Sequence, residues 1–315
     1  MLASKELIAA VFPPERADVV LGDASVAQEF AGLPFDHLFF TGSTAIGRKV
    51  MAAAAPNLTP VTLELGGKSP AFIGASSNLD EVARRIAQGK CFNSGQTCIA
   101  ADYLLVEGDR IEPLVAALKR AVDSYFANAQ SRDLTSMVNE AQYRRLRDWL
   151  DEAKSRGARL VEIGPGDEAR RVLPLTLVLD APDDSAVMQQ ELFGPVLPLV
   201  RVADSNAAID YVNARPRPLA LYLFDRDAGR VDDFLARTSV GSVAINDTIV
   251  QFAQGGLPFG GIGASGLGQY HGRYSFETFS KRLPVFRQAA AFASTSLARP
   301  PYGWFADWLV RLTTR

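Results

Sequence analysis

Cys98 sits in the stretch FNSGQTCIAADYLLV, directly after a run of small polar residues and just ahead of an apolar, strand-like segment. Asn93, Ser94, Gly95, Gln96 and Thr97 are rich in donors and turn tightly, so N–H groups can line the sulfur and favour the thiolate. A thiol so placed suits covalent attack on a carbonyl. The alternative is a small buried hydrophobe, which is how Cys91, on an apolar helical pattern, reads.

A second reactive group stands in VTLELGGKSP. Alternation there puts Val61, Leu63 and Leu65 on one face and Thr62 and Glu64 on the other, and a double glycine stops the strand at once. A carboxylate at a strand end is either a solvated or turn-bonded surface group, or, when partly buried with a raised pKa, a general base.

Two glycine-bearing stretches bear on phosphate binding. FDHLFFTGSTAIGRKV reads strand, glycine turn, helix, which aims backbone N–H groups and a helix N-terminus at an anion. Gly42 and Gly47 match a P-loop, but Arg48 displaces Lys49 by one place and Val50 stands where the hydroxyl belongs, so triphosphate hydrolysis is disfavoured. A turn that merely needs glycines is the competing reading. Gly261, Gly263 and Gly266 satisfy G-x-G-x-x-G, yet Pro258 precedes them in place of a strand and no acidic residue follows at ribose distance. This glycine-dense stretch reads as irregular backbone, a flexible loop bordering a cleft.

The elements that must position these groups alternate in type. FDHLFF, VTLEL, YLLVE, LTLVLD, LALYLFD and GSVAIN are strand candidates, and helical patterns run from Leu79 to Phe92, Arg110 to Phe126, Glu140 to Arg156 and Ala207 to Asn213. Asn78 can cap the first helix, with Glu81 three residues later and Leu79, Val82, Ala83 and Ile86 forming its apolar stripe. The alternation predicts an α/β fold.

Composition narrows the function. The 315 residues, 48% hydrophobic and 22% charged, describe a globular chain, and 33 Lys and Arg against 35 Asp and Glu give a net charge of -2. Neither nucleic acid nor an anionic membrane is favoured by that balance, which points to a small-molecule partner. With only Cys91, Cys98, His37 and His271 available, neither a disulfide framework nor a zinc cluster is supplied, and no metal is expected. No signal peptide or membrane-spanning segment is evident, so a cytoplasmic, reducing location is expected.

In order, FTGSTAIG, LELGGKSP, FNSGQTC, QQELFGPVLPLV and LPFGGIGASGLGQYHG resemble the aldehyde dehydrogenase superfamily, over nearly the whole chain. With PLALYLF and YHGRYSFETFSK, the pattern is most similar to the class 3 branch and its bacterial coniferyl aldehyde dehydrogenases. The resemblance implies an aldehyde dehydrogenase-like α/β fold, with a partial Rossmann-like cofactor domain and an α/β catalytic domain with a parallel sheet. It implies Cys98 as nucleophile and Glu64 as the base that activates water. It further implies Gly42, Ser43 and Gly47 against the pyrophosphate of NAD or NADP, Glu191 on the nicotinamide ribose, and Phe193 beside the ring. The substrate expected is an aromatic aldehyde, such as coniferyl aldehyde, or a medium-chain one.

On the same resemblance the expected domains are 1–66, a remnant of the cofactor-binding domain; 67–268, catalytic; and 269–315, an oligomerisation strand and tail. The chain is expected to be N-terminally truncated, Ala3 to Pro13 resembling the helix after a lysine-bearing segment, without the asparagine that supports the oxyanion. A homo-oligomer, with a dimer favoured, is expected from the family and from KRLPVF, and packing of the aromatic tail on the body or a second subunit is favoured over a membrane interface. Two alternatives stand beside catalysis by Cys98 and Glu64: an impaired remnant serving as a binding or assembly subunit, and a cysteine hydrolase with His37 or His271 as base.

Overall fold

A computed structural model describes residues 2–126, 133–288 and 300–314. The chain divides into two compact units, Met1–Phe279 and Ser280–Arg315. Within the described residues of the second, the only regular element is the helix Trp304–Thr313, and KRLPVF is irregular.

The first unit is α/β. Its smaller sheet joins β1 (Leu38–Thr41), β2 (Val61–Glu64) and β10 (Gly266–Leu267) in the order β1-β2-β10, with β1 parallel and β10 antiparallel to β2. The larger sheet contains β3 (Pro70–Ile73), β4 (Tyr103–Glu107), β5 (Arg159–Ile163), β6 (Leu175–Leu179), β7 (Val196–Val202), β8 (Ala220–Phe224) and β9 (Ser242–Ile245). Its order is β5-β6-β7-β4-β3-β8-β9, and every pairing is parallel except β5 with β6.

Helices follow their sequence signals. The helix α4 (Leu79–Cys91) starts where the Asn78 side chain accepts the Glu81 N–H at 3.1 Å, and its stripe of Val82, Ala83, Ile86 and Ala87 is buried. That stripe packs with α5 (Ile111–Phe126) residues Leu114 and Leu118 on the inward faces of β3 and β4, in the main core. A fully buried side chain of the size of Ile86 stabilises the fold by about 1.5–3 kcal/mol relative to exposure. The opposite face is covered by α8 (Ser205–Asn213) and α9 (Ala228–Arg237) through Ile209, Val212, Val231 and Phe234.

The glycine-dense stretch differs from the flexible loop expected of it. Gly266 pairs with Glu64 and Leu267 with Leu63, and the Leu65 N–H donates to the Ser265 carbonyl at 3.2 Å. Glycine permits this contact, since a Cβ at Gly266 would meet the Leu63 carbonyl at 2.5 Å. The end of the stretch, Ser265 to Leu267, thus straps β2, while 255–257 and 262–263 stay exposed. No helix among the described residues is long and apolar enough to cross a membrane.

Candidate active site

Glu64 closes β2, between Thr41 of β1 and Gly266 of β10, and its carbonyl accepts the Gly42 N–H at 3.0 Å. Neighbouring strands on both sides leave its side chain 2% exposed. Both carboxyl oxygens are buried with no partner in hydrogen-bonding geometry. Burial pushes its pKa up to about 8, and the adjacent Cys98 thiol pulls the other way.

Cys98 lies between the end of α4 and the start of β4, reached through a turn in which Asn93, Ser94 and Gly95 all have positive φ. The N–H groups of Cys98 and Ile99 do favour the thiolate, as the sequence suggests. They are outweighed: burial, then the Glu64 and Glu191 carboxyls, push the thiol up to about 12. The expectation of a favoured thiolate is therefore corrected, because a sulfur sunk between two carboxyls is held as the thiol. A base must take its proton before it can attack.

The turn after β1 leads into α3 (Thr44–Ala54), whose N-cap is Ser43, its Oγ accepting the Ile46 N–H at 3.4 Å. A Cβ on Gly47 would meet Leu65 at 2.6 Å, so the start of α3 lies against the chain leaving Glu64. Gly42 likewise has no room for a side chain, with the Phe40 ring 2.5 Å from where a Cβ would stand. The positive end of α3 thus opens beside the strand end that carries the carboxyl.

Glu191 follows a short helix, α7 (Ala186–Gln189), and its carboxyl occupies the space over Gly66, taking the Gly67 N–H. Burial and then Asp102 raise its pKa to about 7, against the pull of that N–H, Lys68 and Arg145. Phe193 is 40% exposed, with φ of 48°, so its ring is open to a ligand from one side.

Groups that the sequence reading did not assign hold the Glu191 loop. Lys68 pairs with Asp102 and also donates to the Val187 and Gln190 carbonyls at 2.8 and 3.0 Å. Asp102 accepts the Leu192 N–H at 3.0 Å, and Arg145, from α6 (Glu140–Ser155), donates to the Glu191 and Leu192 carbonyls while its guanidinium lies 4.3 Å from the Trp149 ring. Lys68 was visible in LELGGKSP, but nothing in spacing pairs it with an acid so far along the chain. Tyr270, inside the YHG run, is also at the site, its phenol pushed up by burial and by Glu64 and Cys98.

The two histidines that a hydrolase would draw on have other contacts. His37 Nε2 is 2.8 Å from the Thr62 hydroxyl, and His271 is enclosed by Phe252, Phe259 and Tyr270. Among the described residues no group of three or more His, Cys, Asp and Glu side chains can hold a metal ion.

The site has a definite place in the fold. Lys68, Cys98 with Asp102, and Glu191 precede β3, β4 and β7, the amino ends of the parallel strands, while Glu64 and the Gly42 turn stand at the carboxyl ends of β2 and β1. The small sheet follows the usual rule for ligands at carboxyl ends, and the large sheet reverses it.

The chain matches the model of the "Aldehyde dehydrogenase family" over residues 1–283. It is 48% identical over 300 residues to a "Probable coniferyl aldehyde dehydrogenase" of Pseudomonas aeruginosa, covering 95% of this chain and 63% of that protein. It is 44% identical over 285 residues to the rat "Aldehyde dehydrogenase, dimeric NADP-preferring", covering 90% of this chain and 62% of that one. In structure it is similar to a substrate-bound AldH of Staphylococcus aureus, with a TM-score of 0.92, 37% identity, and coverage of 99% of this chain and 68% of the other. The chain thus spans just over three fifths of the length of the curated relatives named here.

Proposed function

Given that this chain belongs to the aldehyde dehydrogenase family, we propose that it carries the reacting groups for oxidation of an aldehyde to the carboxylic acid with NAD or NADP. The observation that supports this most is the buried pair of Glu64 and Cys98, a thiol adjacent to a carboxyl that no other side chain or N–H group engages.

Cys98 is the nucleophile. Its proton passes to the Glu64 carboxylate, Sγ bonds to the carbonyl carbon as the C=O π pair moves to oxygen, and the anion of a thiohemiacetal forms. A pKa of about 8 suits Glu64 to this exchange near neutrality. A bound nicotinamide would supply the hydride acceptor, and once that hydride has left, Cys98 holds the carbon as a thioester. Glu64, having released its proton, then takes one from water as the water oxygen attacks. The C–S bond breaks, the acid departs and the thiol is restored.

The chain's residues fit such a cofactor. The Gly42–Ser43 turn leads into the N-terminus of α3, which would face a pyrophosphate, Gly47 lets that helix lie against Leu65, and the Glu191 carboxyl can accept two ribose hydroxyls. Phe193 offers a face to a planar ring. The substrate we favour is an aromatic aldehyde such as coniferyl aldehyde, or a medium-chain one, in keeping with the name of the Pseudomonas relative. Residues 1–66 then form the cofactor-binding remnant and end in the base Glu64, 67–268 form the catalytic domain and lend Glu191 and Phe193 to the cofactor, and 269–315 serve assembly into a homodimer in a reducing cytoplasm.

The test is incubation of the purified chain with coniferyl aldehyde and NAD or NADP, following reduced cofactor by absorbance. Product that vanishes in Cys98→Ala supports the reading. No turnover at any concentration rejects it in favour of a binding or assembly role.

A further inference from the structure

We propose that Gln96 is the positioning residue of the nucleophile, bracing a left-handed turn against the chain at 135–138 so that Cys98 stays buried against Glu64. The proposal rests on the reading of Cys98 as the nucleophile. Asn93 (φ 50°, ψ 30°), Ser94 (φ 51°, ψ 37°) and Gly95 (φ 69°) are three successive residues in the left-handed region. For residues with a Cβ this conformation costs about 1–2 kcal/mol each and normally occurs singly. Gly95 escapes the cost, and no other residue fits there, because a Cβ would run into the Gly194 carbonyl. Asn93 and Ser94 do not escape it, so surrounding contacts must hold them.

Those contacts converge on Gln96, which is 9% exposed. Its Nε2 donates to the Asn93 and Ser136 carbonyls at 3.2 and 3.1 Å, and its Oε1 accepts the Val138 N–H at 2.9 Å. Its backbone closes the same turn: the Gln96 N–H donates to the Asn93 carbonyl at 3.1 Å, and its carbonyl accepts from Asn93 Nδ2 at 3.0 Å. The Ser94 hydroxyl donates to the Thr135 carbonyl at 2.6 Å. The far side is itself anchored, since the Met137 N–H donates to the Arg171 carbonyl at 2.9 Å. One side-chain amide therefore uses both its donor and its acceptor to join two irregular segments, and Cys98 follows two positions later. Freed of the brace, the turn relaxes toward the right-handed region and carries the sulfur away from the groups it faces: Glu64, Glu191, Tyr222 and Tyr270.

The test is iodoacetamide labelling across pH of the full chain, read by the mass of the peptides holding Cys98 and Cys91. Gln96→Met keeps the bulk and removes the bonds. Labelling of Cys98 near neutral pH should then rise, about tenfold for each unit by which the thiol's pKa falls toward its ordinary value. Cys91 labelling should stay unchanged, while oxidation of aldehyde falls. Unchanged labelling at Cys98, or an equal rise at both cysteines, would each overturn the proposal. A wild type without turnover overturns the proposed function instead, since the labelling comparison needs no aldehyde.

Discussion

The carboxyl of Glu191 lies where a side chain on Gly66 would have to be. Gly66→Ala should therefore push that carboxyl off the Gly67 N–H. A lost hydrogen bond to a charged group is worth about 1.5–3 kcal/mol, so the KM for NAD or NADP should rise roughly tenfold to a hundredfold. Initial rates at varied cofactor check this. Cys98 labelling should not change, and a parallel loss there would mean that the substitution had disturbed the whole site.

Glu64→Gln should lower kcat by about two to four orders of magnitude, the range of a positioned acid or base. Intact-mass spectrometry after mixing with aldehyde and cofactor locates the loss: Cys98 should stay unmodified because its proton is no longer taken, whereas an accumulated thioester would confine Glu64 to the water step. Variant protein that turns over normally would remove Glu64 from the chemistry.

Stability should depend on pH through the same carboxyl. Its pKa is raised on folding from 4.5 to about 8, so the folded state binds the proton more tightly than the unfolded chain. Stability from this group is full below pH 4.5 and is lost as pH rises toward 8. Glu64→Gln, neutral at every pH, should thus show a Tm close to wild type at pH 5 and an increasing advantage by pH 9, with an upper limit of a few kcal/mol. A constant difference across that range would contradict the burial of the charge.

Lys68 and Asp102 form an ion pair with side chains 12% and 4% exposed. Lys68→Met leaves the Asp102 charge buried with its cation gone and should cost about 3–5 kcal/mol by chemical denaturation. Replacing both, with Asp102→Leu, should recover part of that loss in stability while leaving cofactor binding impaired, because the Leu192 N–H loses its acceptor.

Much of the framework was legible in the chain itself. The Asn78 cap and the stripe Val82, Ala83, Ile86 repeat the helical period, so α4 could be read almost to its last residue. The strands β3 and β7 were not, because Pro70 and Pro198 stand within them and proline in a run argues against a strand. The thiol, the carboxyl and the glycine turn were found through residue type and local spacing. Lys68 with Asp102, Arg145 on the Glu191 carbonyl, and Tyr270 beside Cys98 are joined only by tertiary folding, which no local period encodes. The upward shift of the Cys98 thiol was missed for the same reason, since donors beside it are outweighed first by burial and then by acids brought from β2 and the 191 loop.

Cys98, the proposed nucleophile, stands ahead of β4 where strands of the large sheet begin, and Glu64 stands where β2 of the small sheet ends. The loops where β3 and β8 finish are held by a separate network, with Asp225 bound to Ser76 and Arg230, and Arg110 bound to the Gly74 and Ser77 carbonyls. Insertions or new recognition patches on that far rim leave the spacing of thiol and carboxyl intact. A lineage built on this plan can diversify its outer surface on one side of the sheet while its chemistry on the other stays fixed.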